Sequence, residues 1–326
     1  MKAIVCKQYG PPDNLVLEDL PPLKAGKGQV VVSVKAAGVN FPDTLIIQNK
    51  YQFKPELPFS PGSECAGIVK ETGEGVSSVK PGDSVMALTT YGAFAEEVLV
   101  KETECIPLPN GVDFQQAAGF TLTYGTSYYG LHNRAQLKAN ETLLILGAAG
   151  GVGSAAIELG KIMGARVIAC ASSDEKLAAC KQLGADELIN YETEDLRERI
   201  KQFTNDRGVD IVYDAVGGKH AEPAVRSMSW NGRYLVVGFA AGEIPKIPLN
   251  LTLLKGCALV GVFWGSFMRK EPAAAAKNHA QLMTWLAQGK LKPLISAVYP
   301  LQEAPRALQD LMERKVKGKV VLVMNS

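Results

Sequence analysis

Glu141-Thr-Leu-Leu-Ile-Leu-Gly-Ala-Ala-Gly-Gly-Val-Gly-Ser154 carries the architecture of this chain. An apolar run of strand length enters a glycine turn and passes straight into a helix that begins near Val152. Such a helix start offers unpaired backbone N–H groups and a partial positive charge. Gly150, Gly151, Val152 and Gly153 therefore form a cradle suited to the pyrophosphate of a dinucleotide. Gly150 lets backbone approach phosphate, and Gly153 lets the helix lie close on the strand. Ala148 stands where the first glycine of a G-x-G-x-x-G pattern belongs, so Gly147 is expected to take the tight turn. After a helix of about a dozen residues, Arg166-Val-Ile-Ala-Cys170 supplies a second strand and completes a right-handed βαβ unit.

From about Thr123 to Pro293, strands alternate with helical patterns: Leu143 to Leu146, Val167 to Ala171, Glu187 to Asn190, Val209 to Asp214, Arg233 to Val237 and Ala258 to Val262. That rhythm predicts an α/β fold with a doubly wound parallel sheet. Residues 1–122 instead alternate short apolar runs with Pro and Gly, and 294–326 return to that texture. A nucleotide-binding domain over 123–293 is thus expected as an insertion into a β-rich domain.

A net charge of +2 with interleaved signs supplies no broad basic field, which argues against nucleic acid as a main partner. The N-terminal residues lack the apolar core of a signal peptide, and no stretch approaches a membrane span, so a soluble cytoplasmic protein is expected. Six scattered cysteines without C-x-x-C spacing read as reduced, buried thiols.

An NAD site normally ends its second strand with a carboxylate for the ribose 2′-OH. Ala171 holds that place here, followed by Ser172 and Ser173, with Lys176 nearby. Two hydroxyls and an ammonium suit a 2′-phosphate, so NADPH is favoured as cofactor. Ser173-Asp-Glu-Lys176 is also helix-start chemistry, and Asp174 leaves an NADH reading open. Tyr191 either lies over the same phosphate or is a half-buried aromatic at a strand end.

The order of motifs resembles the medium-chain dehydrogenase/reductase superfamily and, within it, the zinc-free NADPH quinone oxidoreductase branch. The resemblance rests on Ala36-Ala-Gly-Val-Asn-Phe-Pro-Asp43, Pro58-Phe-Ser-Pro-Gly-Ser-Glu-Cys-Ala-Gly67, Val79-Lys-Pro-Gly-Asp-Ser-Val85, Ala148 to Gly153, Asp214-Ala-Val-Gly-Gly218 and Gly318-Lys-Val-Val-Leu322. It implies a GroES-like catalytic domain, a Rossmann domain and a cleft between them. Zinc-dependent relatives place Cys, His and Cys where this chain resembles the pattern with Asn40, Ser63 and Gly119. None of these three is a thiolate, imidazole or carboxylate, so no metal is expected.

Without a Lewis acid the chemistry suits an acceptor that delocalises negative charge by itself, namely a quinone or an α,β-unsaturated carbonyl. By resemblance Asn40 contacts the nicotinamide side of the cofactor, with Thr123, Phe239 and Phe263 at the same end. Tyr51 resembles a family tyrosine that hydrogen-bonds a carbonyl or relays a proton, although Gln48-Asn-Lys-Tyr51 departs from the family segment and a pocket wall is its alternative. Asp43 is read as organising the turn after Asn40. Trp264 and Phe267 form either a substrate wall or a subunit contact, and the last apolar strand suits a homodimer through the Rossmann edge. Two other readings stand beside this one: an enoyl-thioester reductase, and a crystallin-like NADPH-binding protein with little catalysis. The first would recruit Arg314, Lys315, Lys317 and Lys319 for an anionic substrate arm, whereas a solvated charged face is the plainer reading of that cluster.

Overall fold

The computed structural model describes residues 1–324. Seven strands come first: β1 (Lys2–Cys6), β2 (Leu15–Asp19), β3 (Gln29–Val39), β4 (Glu64–Thr72), β5 (Ser84–Leu88), β6 (Glu97–Lys101) and β7 (Cys105–Pro107). Six follow: β8 (Thr142–Leu146), β9 (Arg166–Ala171), β10 (Glu187–Asn190), β11 (Val209–Asp214), β12 (Met228–Val236) and β13 (Ala258–Gly261). Two close the chain, β14 (Ile295–Pro300) and β15 (Lys319–Val323). The helices that position functional residues are α1 (Phe41–Ile46), α2 (Phe114–Ala118), α3 (Thr121–Tyr128), α4 (Gly151–Ile162) and α5 (Asp174–Gln182). Two compact units result: Met1–Leu122 with the chain from Lys292 onward, and Thr123–Leu291. The second junction thus follows Leu291 rather than Pro293.

In the unit Thr123–Leu291 all six strands are parallel in the order β10-β9-β8-β11-β12-β13. Leu143, Leu144, Ile145 and Leu146 of β8 are fully buried, as expected for the centre of a sheet covered on both faces. Each such side chain contributes about 1.5–3 kcal/mol relative to exposure. One strand differs from the sequence expectation: β12 begins at Met228 rather than Arg233. Asn231-Gly232 reads as a turn, but the sheet absorbs it as a bulge. Met228 pairs with Val209 and Arg233 with Ile211, and Asn231 takes φ +62° between them.

The other unit holds a mixed sheet in the order β14-β15-β3-β4-β5-β7, with β6 also on β3 and a separate β1–β2 hairpin. Its core is built largely from Val30, Val32, Val34, Val69, Val85, Phe94, Val98 and Leu322. Antiparallel pairing does the positioning work here. Val320 of β15 lies opposite Val39 of β3, and Gly38 of β3 lies opposite Glu64 of β4. The start of β15, the end of β3 and the start of β4 therefore meet at one end of the sheet, bringing Lys319, Asn40 and Glu64 together from distant parts of the chain. Among the described residues no helix is long and apolar enough to cross a membrane.

Candidate active site

Asn40 follows the last residue of β3 and caps α1, whose Pro42 suits the first turn of a helix. Its backbone N–H donates to Asp43 Oδ2 at 2.8 Å, so Asp43 organises this turn as the sequence suggested. The Asn40 carboxamide is buried and committed to the protein: Nδ2 donates to Glu64 Oε1 at 2.9 Å, and Oδ1 accepts from Lys319 Nζ at 2.6 Å. Lys319 also donates to Glu64 Oε1 at 2.8 Å and to the Val39 carbonyl at 3.0 Å, which uses all three of its N–H groups. Glu64 Oε2 accepts the Leu122 N–H at 2.9 Å. Lys319 and Glu64 side chains are 4% and 1% exposed, so this ion pair stands outside water. Burial pushes the Asp43 carboxyl up to about 7, against the pull of the Asn40 and Gly62 N–H groups and the Lys319 charge.

Lys319 corrects the reading of the basic tail. Arg314 and Lys315 are exposed and Lys317 is half-buried, but Lys319 is sealed in the interior. Gly318 makes this possible. It takes φ +57°, and a Cβ there would stand 2.2 Å from the Leu294 carbonyl, so only glycine turns the chain closely enough to send the next side chain inward. Any enoyl-thioester reading loses this lysine as an anchor for an anionic arm.

The same geometry tests a zinc site. The Lys319 stem passes Gly119 so closely that a Cβ at that position would meet Lys319 Cβ at 3.3 Å and Ile295 Cδ1 at 2.9 Å. Ser63 Oγ is enclosed without a hydrogen-bond partner. Among the described residues no group of three or more His, Cys, Asp or Glu side chains is placed to hold a metal ion. An amide, a hydroxyl and a buried ammonium do not fit a divalent cation.

In the parallel-sheet unit the glycine turn has the expected form. Gly147 takes φ +70°, and a Cβ on Gly153 would lie 2.3 Å from the Gly147 carbonyl, so helix and turn meet without room for a side chain. Gly150 caps α4 in extended conformation and no side chain caps that end. After β9, Ala171 is buried, while Ser172, Ser173 and Lys176 are half-buried. Lys176 Nζ donates to Ser172 Oγ at 3.1 Å, and Ser173 caps α5. Asp174 Oδ1 accepts from Asn190 Nδ2 at 2.8 Å, which draws that carboxylate toward the end of β10. Tyr191 follows β10, half-buried, its ring 4.3 Å from that of His220.

The remaining expected residues scatter by role. Phe239 and Phe263 follow β12 and β13 and are exposed, at the strand ends where open α/β sheets take ligands. Thr123 is buried on α3. Tyr51 is half-buried and packs on the core of the β-rich unit. Phe267 is buried, stacked on Tyr129 with ring centroids 4.1 Å apart. Two buried networks were not foreseen from the sequence, although Asp214 opens one of the motifs quoted above. Tyr234 hydrogen-bonds Asp214 Oδ2, while Asp214 Oδ1 accepts the Val216 and Gly217 N–H groups, fixing the loop after β11. Ser127 Oγ donates to the Val152 carbonyl at 2.8 Å and meets the Tyr213 hydroxyl at 2.9 Å, tying α3 to the first turn of α4.

Known proteins are similar to this chain over nearly its whole length. Residues 26–110 match the alcohol dehydrogenase GroES-like domain family and 151–281 the zinc-binding dehydrogenase family. A quinone oxidoreductase-like protein 2 homolog from Nematostella vectensis is 38% identical over 325 residues, covering 98% of this chain and 88% of the relative. The quinone oxidoreductase of Rattus norvegicus is 34% identical over 327 residues, 99% of this chain and 98% of that one. The structure of Escherichia coli quinone oxidoreductase complexed with NADPH aligns with a TM-score of 0.92 at 30% identity, covering 99% of this chain and 100% of the other. These domain matches, identities and the shared fold place this chain in the quinone oxidoreductase branch of the medium-chain dehydrogenase/reductase superfamily.

Proposed function

We propose that this protein is an NADPH-dependent reductase that passes hydride to a quinone or an α,β-unsaturated carbonyl without a metal ion. The observation that carries the metal-free part is the Lys319–Glu64–Asn40 cluster, in which the ammonium and the neighbouring carboxylate neutralise one another. NADPH supplies the hydride when bound. Gly150 to Gly153 hold the pyrophosphate on the uncapped start of α4, and Ser172, Ser173 and Lys176 receive the 2′-phosphate. Tyr191 shields that phosphate. Thr123, Phe239 and Phe263 would exclude water at the nicotinamide end of the parallel-sheet unit, and Asn40 would orient the ring when the cofactor is bound. Tyr51 donates a hydrogen bond to the substrate oxygen. Quinones and enones need no Lewis acid because the incoming charge spreads over their own conjugated system.

The free edge of β13, with exposed Leu259 and the nearby Leu253 and Leu254, supports a homodimer formed along that strand. Buried free cysteines suit a reducing cytoplasm. Single-turnover oxidation of NADPH against quinones, alkenals and enoyl thioesters tests the reading. Oxidation by quinones or alkenals supports it. Tight NADPH binding with no acceptor would make the chain a cofactor-binding protein instead.

A further inference from the structure

We propose that Lys319 is a positioning residue that holds the Asn40 carboxamide in a single orientation, Oδ1 toward the ammonium and Nδ2 toward Glu64. A carboxamide has two nearly isosteric orientations, and its neighbours decide between them. Here the neighbours allow one. An ammonium only donates and an ionised carboxylate only accepts, and Asn40 Oδ1 lies 2.6 Å from Lys319 Nζ while Nδ2 lies 2.9 Å from Glu64 Oε1. A half-turn of the amide would set donor against donor and acceptor against acceptor. Asn40, Glu64 and Lys319 are all buried, so water is not there to relieve the mismatch.

The fold is built to deliver this lysine. Gly318 turns the chain against the Leu294 carbonyl, the Lys319 N–H donates to that carbonyl at 2.7 Å, and Gly119 leaves the space through which the stem passes. With Val39, Asn40 and Glu64 as acceptors, the ammonium has no spare proton and no freedom to turn. A lysine present only to neutralise Glu64 would not need its bond to Asn40. For the reaction, Lys319 then decides which atoms of Asn40 the nicotinamide meets. That consequence rests on the proposed function, whereas the orientation itself does not.

The test uses the full chain with asparagine side chains labelled in ¹⁵N, the Asn40 signals being identified by their loss in Asn40→Ala. The double variant K319M/E64Q removes both charges together and so leaves no unpaired buried ion. In it, solvent exchange of the Asn40 Nδ2 protons should accelerate by about tenfold or more. In K319R, which keeps a cationic donor, exchange should return to within about threefold of the parent rate. E64Q alone should leave the carboxamide locked, because the Lys319 bond remains. Parent-like exchange in K319M/E64Q would overturn the inference, and so would release in E64Q equal to that in the double variant. Hydride transfer is read in parallel. If the proposed function holds, K319M/E64Q lowers kcat while KM for NADPH stays within about threefold, since the phosphate contacts are untouched. A parent protein with a locked carboxamide that fails to oxidise NADPH with any quinone or α,β-unsaturated carbonyl tried would refute the proposed function and still support the positioning role.

Discussion

Two lysines define opposite ways of using a positive charge in this molecule. Lys319 sits at 4% exposure inside the β-rich unit, its three donors saturated by Val39, Asn40 and Glu64. Lys176 lies half-buried at the rim of the parallel sheet, beside Ser172 and the start of α5. The first charge is spent on holding protein groups in place. The second, in the function proposed above, receives the 2′-phosphate of NADPH. Buried charges are expensive to disturb because an abandoned partner stays in a low-dielectric interior, while rim charges act weakly and are screened by salt. Substitutions at the two places should therefore differ in size and in kind.

The largest effect is expected for Lys319→Met. It strands Glu64 in the interior and should cost about 3–5 kcal/mol in chemical unfolding, with much of the loss recovered in K319M/E64Q. Equal stability of the single and double variants would mean that the pair is not coupled.

Asp43, beside the same cluster, comes next. Its value in the folded protein, about 7, lies above the unfolded one, so folding favours the protonated form. The stability it brings is complete below about pH 4 and is lost as pH rises through about 7. Asp43→Asn should therefore be more stable than the parent near pH 8, by on the order of 3 kcal/mol, with the gap closing toward pH 4. A gap independent of pH would contradict the raised value.

On the parallel-sheet side, Gly153→Ala puts a Cβ 2.3 Å from the Gly147 carbonyl and must push α4 from the turn. NADPH affinity measured by calorimetry should fall about tenfold to a hundredfold, since the cradle is built on that contact. The smallest effect is expected for Lys176→Ala. Preference for NADPH over NADH should drop about tenfold, with NADH kinetics unchanged and the difference shrinking at high salt. An unchanged preference would remove Lys176 from the phosphate site.

The parallel-sheet half was readable in the sequence because its information is local. One strand, one glycine turn and one helix are contiguous from Thr142 to Ile162, and the residues that follow β9 are fixed by chain order alone. The bulge in β12 was not readable, since Asn231-Gly232 signals a turn wherever it stands and only pairing with β11 shows that the strand continues around it. The buried cluster was readable only in pieces. Asn40, Glu64 and Lys319 each fall in a recognisable motif, but Lys319 stands 255 positions after Glu64 and beside the other basic residues of the tail, so no single motif tells that the three meet. Composition gave no reason to separate it from Arg314, Lys315 and Lys317. What separates it is antiparallel pairing of β15 on β3 together with the close turn at Gly318, both of them tertiary facts.

The proposed function stands on hydride transfer from NADPH to a conjugated acceptor without a metal. A single-turnover experiment on protein whose zinc content has been measured, run with and without a chelator, addresses it. Reduced-nicotinamide absorbance should be lost on adding a quinone or an enone, faster with NADPH than with NADH, and equally with chelator at negligible zinc. Activity that tracks about one bound zinc per chain and disappears with the chelator would contradict it.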